Sequence, residues 1–290
     1  MTNLTYLEPT TATEAVTLLA EYGSSAKVLA GGTAVNLLMR QKLIQPAALI
    51  SLDHIDGMRG IIIDAHNTLH IGAMTSLKQV AANGHIRQGW PLLANACAAV
   101  GNVRLRNQAT LGGNMAEADY ASDPPAALVA LDASIRVLGP RGERHIDLGG
   151  FFLGFYTTAL AEDEVLTEIL VPPLPSKTSS LYVKYKSRSA MDRPCVGVAA
   201  VLAAEDGVCT LARIAVGAAC EVPQRFRDLE RELIGQRLTP AIAASFAEGY
   251  ATALESPLDD LRGSPSYRRE MTRVHIKRAL YSLAELENAI

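Results

Sequence analysis

Along residues 11–23 the apolar positions recur at helical spacing. Ala15, Leu18, Leu19 and Tyr22 share one face, Thr11 and Glu14 are placed for a capping box, and Gly23 supplies the stop. Lys27-Val28-Leu29-Ala30 then reads as a short strand entering Gly31-Gly32-Thr33. Residues 35–42 return to a helical pattern and residues 48–52 to a strand, giving a small βαβ-like unit.

A second α/β stretch follows. Residues 61–63 and 69–71 flank Asp64-Ala65-His66-Asn67 as a hairpin, Thr75 caps a helix to residue 82, and Pro91 opens an Ala-rich helix closed by Gly101. Asp123-Pro124-Pro125 starts a helix over 126–131, and residues 134–138 and 144–146 bracket Pro140-Arg141-Gly142 as another hairpin. Residues 148–156 are rich in Gly and Phe and take no clear pattern, whereas 165–171 read as a strand. Pro172-Pro173-Leu174-Pro175-Ser176 is the clearest linker. Beyond it, residues 181–186, 196–204 and 208–216 read as antiparallel strands, the last two joined by Glu205-Asp206-Gly207. Helices are predicted over 224–234, 240–254 and 266–287. The expectation is an α+β chain of two domains, 1–175 (subdomains of about 1–55 and 56–175) and 176–290, with helices on one face of the C-terminal sheet.

The 290 residues are 49% apolar and 20% charged, ordinary for a soluble globular protein. A net charge of −3 gives no reason to expect nucleic acid or an anionic membrane as partner. No apolar segment approaches the ~20 residues that span a bilayer, and the first six residues carry no signal-peptide pattern. A cytoplasmic protein without a membrane span is the expectation. Cys97, Cys195, Cys209 and Cys220 include no C-x-x-C pair, so buried free thiols are expected and no metal of the chain's own.

Two stretches carry candidate chemistry: Ala30-Gly31-Gly32-Thr33 and Thr110-Leu111-Gly112-Gly113-Asn114. Each sets adjacent glycines beside a hydroxyl residue at a turn. Paired glycines let backbone N–H groups approach a ligand, and successive N–H groups form a concave nest for anions. Two such nests would clamp the phosphates of a dinucleotide; the alternative is that each is a tight turn. The G-x-G-x-x-G pattern with its distal acid is absent, which disfavours a Rossmann site.

The two glycine motifs occur in order with Ile71-Gly72-Ala73-Met74-Thr75, Arg106-Asn107-Gln108-Ala109, Ser122-Asp123-Pro124-Pro125-Ala126-Ala127-Leu128 and Phe151-Phe152-Leu153-Gly154. Tyr182-Val183-Lys184-Tyr185, residues 188–192 and Asp260-Leu261-Arg262-Gly263 continue the series. Together they resemble the FAD-binding medium subunit of the molybdenum hydroxylases, the group of carbon monoxide, xanthine, nicotine, caffeine and aldehyde dehydrogenases, over nearly the whole chain. The resemblance implies an FAD-binding domain of the molybdopterin dehydrogenase type followed by a C-terminal domain of the medium-subunit type. It implies FAD on this chain, with molybdopterin on a large partner subunit and two [2Fe-2S] clusters on a small one. The assembly implied is a dimer of heterotrimers in which electrons pass through the clusters to FAD and on to an outside acceptor. The motifs say nothing of the substrate.

The resemblance places Val28, Leu29, Ala30, Gly31, Gly32, Thr33, Ala34 and Val35 in one cofactor loop and Thr110, Leu111, Gly112, Gly113 and Asn114 in the other. Asp123 becomes an acceptor for ribityl or ribose hydroxyls, where its residue type alone reads as a helix N-cap. Val100 lines the flavin and Leu166 packs near the adenine or ring system, where both otherwise read as core. Lys184 sits near the isoalloxazine, where an edge-strand lysine otherwise reads as solvated. Tyr185 joins the cofactor set, facing the ring or serving the fold, and so stands Asp192. Arg104 and Arg106 are left between phosphate contact and surface pairing. The chain departs from many relatives at Ala34-Val35, where an acidic or polar residue is common, and at Glu117, where His is common. No Cys-bearing insertion suggests the additional [4Fe-4S] cluster of one branch. The rival readings are a stand-alone FAD-dependent oxidase, for which no His or Cys lies between Val28 and Arg40 to form a covalent link, and a non-catalytic assembly factor of the same fold, which would tolerate loss of the glycine pairs that are intact here.

Overall fold

The computed structural model describes residues 4–189 and 192–285. Residues 1–3, residues 190–191 within the 188–192 motif, and residues 286–290, with the end of the predicted 266–287 helix, lie outside the described residues. The chain opens with β1 (Thr5–Leu7), α1 (Ala12–Tyr22), β2 (Ala26–Leu29), α2 (Val35–Arg40) and β3 (Ala48–Ser51). They form a parallel sheet in the order β1-β3-β2. Thr11 accepts the Glu14 N–H at 3.1 Å, while the Glu14 carboxylate reaches one residue further back, to the Thr10 N–H at 2.8 Å. Gly23 ends α1 at φ 54°. β1 has no counterpart in the sequence reading, because three largely exposed residues carry no periodicity.

The second unit holds β4 (Ile61–Ile63), β5 (Leu69–Gly72), α3 (Leu77–Ala82), α4 (Gly84–Gly89), α5 (Pro91–Ala99), α6 (Val103–Gln108), α7 (Leu111–Glu117) and α8 (Pro124–Ala130). Then come β6 (Ser134–Gly139), β7 (Gly142–Asp147), β8 (Phe152–Gly154), β9 (Thr157–Thr158) and β10 (Val165–Val171). β4-β5-β10-β6-β7 make one antiparallel sheet. Its buried face (Leu69, Ile71, Ile135, Val137, Ile169, Val171) joins α1, α3, α5, α7 and α8 in one core. The cap of α3 is Ser76, not the expected Thr75. Gln79 stands three residues beyond Ser76 and closes a full capping box with it. Thr75 instead accepts the Gly60 N–H at 3.0 Å and donates to the Gly60 carbonyl at 3.1 Å. Thr75→Val is therefore expected to cost about 2 kcal/mol, the price of unmet buried partners, read as a lower denaturant midpoint at unchanged slope.

After the proline stretch come β11 (Thr178–Tyr185), β12 (Val196–Glu205), β13 (Val208–Gly217), α9 (Arg227–Leu233), α10 (Pro240–Ala253) and α11 (Pro265–Leu283). β12 is apolar almost without a break because both of its faces are covered. Val198, Ala200 and Leu202 join the core under α9, α10 and α11, whereas Ala199 and Val201 belong to the first core. Helices thus cover both faces of this sheet, not one: α5 and α8 of the first unit take the second face. The four cysteines are free and buried, and burial pushes their thiols up. No helix of the described residues is long and apolar enough to cross a membrane.

Candidate functional site

The two glycine motifs lie against each other. A Cβ added to Gly31 would stand 1.8 Å from the Gln108 carbonyl oxygen, and one added to Gly113 would stand 3.4 Å from the Ala30 Cβ. β2 delivers the first loop: Val28 and Leu29 pair with Ile50 and Ser51, so the strand ends where the turn begins. Gly32 turns the chain at φ 68°, in the left-handed region that favours glycine. Ala34 caps α2 without a side-chain bond, and the buried Val35 anchors that helix. Among the described residues, the N–H groups of Gly31, Gly32, Thr33 and Ala34 and the Thr33 hydroxyl meet no protein acceptor. A run of unpaired donors on a half-buried loop suits an anion. Ala34 and Val35 take nothing from it, since main chain does the holding.

The second motif differs from the sequence reading. It is the first turn of α7, and its N–H groups are used within the protein. Leu111 donates to the Thr75 carbonyl and Gly112 to the Ala73 carbonyl, both at 2.9 Å. Gly113 donates to Thr110 Oγ1 at 3.1 Å and Asn114 to the Thr110 carbonyl at 3.0 Å. It is no open nest. Its glycines serve close packing: a Cβ on Gly112 would fall 2.5 Å from the Ala73 Cβ, and one on Gly113 would fall 2.8 Å from Thr110 Oγ1. Of this motif, the Asn114 amide nitrogen and the Thr110 hydroxyl proton remain for a ligand. Ser122 Oγ donates to Asn114 Oδ1 at 2.8 Å and so orients the amide.

That bond leads to the next group. Asp123 does not cap α8; its backbone is helical (φ −82°, ψ −46°) and its carboxylate points across to β11. Oδ1 accepts Tyr182 Oη and Oδ2 accepts Lys184 Nζ, both at 2.8 Å. Lys184 Nζ also donates to the Ala99 carbonyl at 2.9 Å, beside Val100 at the end of α5. The side chains of Lys184 and Asp123 are 12% and 3% exposed, so the lysine is neither solvated nor unpaired. Burial raises the Asp123 carboxyl above its usual range, with Lys184 and Tyr182 opposing, and burial beside Asp123 holds the Tyr182 hydroxyl well above its own.

The structure thus brings together the first loop, α7, Val100, Asp123 and Lys184. Two predicted residues stand apart. Successive strand residues face opposite sides, so Tyr185 turns away from Lys184 and toward α11. Its hydroxyl bonds to that of Tyr267, its ring lies 4.7 Å from His275, and the Tyr267 bond, with burial, pushes its pKa up to about 12. Leu166 is 5% exposed and part of the first core, behind the Thr167 carbonyl that holds the Ala73 N–H. Arg106 Nη1 donates to the Val100 and Gly101 carbonyls, so it closes α5. Asp192 pairs with Arg262. Glu117 ends α7 half-buried, and burial raises its carboxyl. Tyr182, Ser122, Gln108 and Ala73 stood in the sequence motifs without a role of their own. Of these, Tyr182 was legible, because it lies two residues before Lys184 on one strand face.

Two cavities, of about 580 and about 310 Å³, lie elsewhere: one beside Arg225 and Phe226, the other between Val16 and Leu138. Neither includes a residue of the glycine loops. The unpaired donors of residues 31–34 are a main-chain feature of the kind that binds anions.

Residues 2–174 match the family model described as the FAD binding domain in molybdopterin dehydrogenase, and residues 181–283 match that of the CO dehydrogenase flavoprotein C-terminal domain. The carbon monoxide dehydrogenase medium chain of Hydrogenophaga pseudoflava is 34% identical over 275 residues, covering 95% of each chain. The nicotine 6-hydroxylase medium subunit of Paenarthrobacter nicotinovorans is 31% identical, also over 95% of each. A solved structure of the Hydrogenophaga enzyme, lacking the Mo-pyranopterin moiety of the molybdenum cofactor, superposes with a TM-score of 0.93 over 97% of both chains at 34% identity. The chain belongs to the FAD-binding medium-chain family of the carbon monoxide and xanthine dehydrogenases.

For a medium chain of this family the residues present fit a dinucleotide. The unpaired donors of residues 31–34 suit a diphosphate, and the Asn114 amide adds a donor on the facing side. The relatives are oxidoreductase subunits.

Proposed function

We propose that this chain carries FAD noncovalently and is the electron-transfer subunit of a molybdenum-containing hydroxylase. In this reading electrons arrive from two [2Fe-2S] clusters on a small partner and leave to an external acceptor. A large molybdopterin subunit hydroxylates the substrate, and the complex is a dimer of heterotrimers. The observation that carries the reading is the run of unpaired N–H groups from Gly31 to Ala34, held against Gln108 by a glycine that admits no Cβ.

FAD, when bound, supplies the two-electron centre that exchanges single electrons with a cluster partner. The chain's own residues bind and orient. The first loop seats the diphosphate on main-chain donors, and Thr33 adds a hydroxyl. Gly113 donates to Thr110 Oγ1 and so holds the first turn of α7, from which Asn114 contributes. Val100 provides an apolar wall, and Leu166 packs in the core of the same unit. Lys184 sits at the end of that wall with its charge balanced by Asp123, so it acts as a paired donor more than as a bare cation. Substrate choice would reside on another chain.

Purified chain is expected to be yellow, with flavin absorbance released into the filtrate on denaturation. It is further expected to co-purify with an iron–sulfur chain and a molybdenum chain when all three are expressed together. Colourless folded chain that takes up no FAD on titration would refute the reading. Flavin that stays with the denatured chain, and no co-purifying partner, would favour the solitary oxidase instead.

A further inference from the structure

α8 is seven residues long, wholly buried, and pinned to the C-terminal sheet and its helices at both ends. Before it stands Asp123, bonded to Tyr182 and Lys184 of β11. After it stands Asp132. This second carboxylate meets Arg213 Nε of β13 at 3.1 Å, Arg225 Nη1 at 2.7 Å and Arg227 Nη2 at 2.7 Å. Arg225 is itself fixed. It donates to the two Glu230 carboxylate oxygens at 2.8 and 2.9 Å and to the Val129 carbonyl, in the last turn of α8, at 2.9 Å. Glu230 in turn accepts the Ile214 N–H at 2.7 Å.

The backbone gives independent support. Asp132 takes a left-handed φ of 53°, a conformation that costs a non-glycine residue free energy and that Asp tolerates better than most. The surrounding contacts must hold it there. Burial alone would raise the Asp132 carboxyl, but the arginines more than offset it and keep it below the usual carboxylate range. A helix of this length spans about 10 Å, and close-packed interiors transmit displacement rather than absorb it. A shift at Asp132 therefore reaches Asp123 and Lys184.

We infer that Asp132 is a positioning residue for the FAD site, acting through α8 to set where Asp123 and Lys184 stand beside Val100. This rests on the reading of the chain as an FAD carrier. Asp132 touches none of the candidate cofactor residues; it fixes the far end of the rod that bears one of them.

The test is a double-mutant cycle on the full chain, with FAD affinity read by flavin fluorescence on titration of the flavin-free protein. Asp132→Asn keeps the size and the tolerance of left-handed backbone but removes the charge that three arginines share. It is expected to weaken FAD binding roughly tenfold at temperatures well below unfolding, the size of coupling that shared networks give. Combined with Lys184→Met, it is expected to add little beyond Lys184→Met alone. A control, Ile276→Val in the second core, is expected to leave FAD affinity unchanged, because lost stability alone should not move the site. Should Asp132→Asn fail to fold, Arg227→Gln carries the same cycle with a two- to threefold effect, since it removes one of three contacts. Full additivity with Lys184→Met, unchanged affinity in the Asp132 variant, or an equal loss in the control would overturn the inference while leaving the FAD reading intact. Wild-type chain that binds no FAD would overturn both.

Discussion

Gly31→Val is expected to yield chain that retains almost no FAD. The ideal Cβ falls 1.8 Å from the Gln108 carbonyl oxygen and 2.7 Å from its carbon, both main-chain atoms of the segment entering α7. No rotamer relieves a clash at Cβ, so the loop must move away from α7. The donors at residues 31–34 then no longer face Asn114. Overpacking of this kind costs about 1–3 kcal/mol, and a main-chain clash belongs at the upper end. Flavin stoichiometry should fall from near one to near zero, with the far-ultraviolet circular dichroism kept. Gly32→Ala offers a graded comparison. There the nearest atom is the movable Asn36 side-chain nitrogen at 2.7 Å, and the left-handed backbone costs about 1–2 kcal/mol, so weakened but measurable FAD binding is expected. Gly112→Val is the wrong probe for cofactor loss. Gly112 packs on the Ala73 main chain inside the core, and valine there should cost the fold before it costs the flavin.

Asp123→Ala is expected to be among the most destabilising single changes in the chain, at about 3–5 kcal/mol, because Lys184 is left buried without its counter-charge. Lys184→Met should cost less near pH 4 and more near neutrality. The Asp123 carboxyl is already held above its ordinary 3.8, burial being the largest cause and Lys184 the largest opposing one. Native protein thus holds this proton more tightly than unfolded chain. The contribution of the group is fully present below pH 3.8 and declines as pH rises through the folded value. Removing Lys184 lifts that folded value further and deepens the decline. Denaturant midpoints of Lys184→Met relative to wild type should therefore fall as pH is raised from 4 to 7. Asp132 has the opposite sign, its folded value lying below 3.8, so its contribution is lost only as pH falls through that lower value.

Period and punctuation made most elements legible. β12 carries an almost uninterrupted apolar run, and the breaks at Gly23 and at residues 172–176 fall where elements end. What stayed hidden was set by tertiary contact. Two glycines cost a helix about 1 kcal/mol each relative to alanine, so local propensity makes Gly112-Gly113 a turn. Only the Ala73 carbonyl and Cβ, brought up by β5, explain why a helix starts there and why it starts without side chains. Likewise Asp-Pro-Pro is an N-cap pattern, yet a helical backbone at Asp123 turns its carboxylate toward Lys184, 61 residues away. Tyr185 and Lys184 part for a simpler reason: adjacent strand residues face opposite sides of the sheet. The first loop was legible because its function is carried by main chain, which glycine spacing reports directly.

The asymmetry between the two glycine motifs offers the most direct test of the diphosphate seat. Amide hydrogen exchange would be followed in flavin-free and FAD-loaded chain, residue by residue across both loops. The amides of Gly31, Gly32, Thr33 and Ala34 should exchange fast without FAD and become protected on binding. Those of Leu111, Gly112 and Asn114, already bonded within the protein, should change little. Unchanged exchange at residues 31–34 in chain shown to hold FAD would contradict the account.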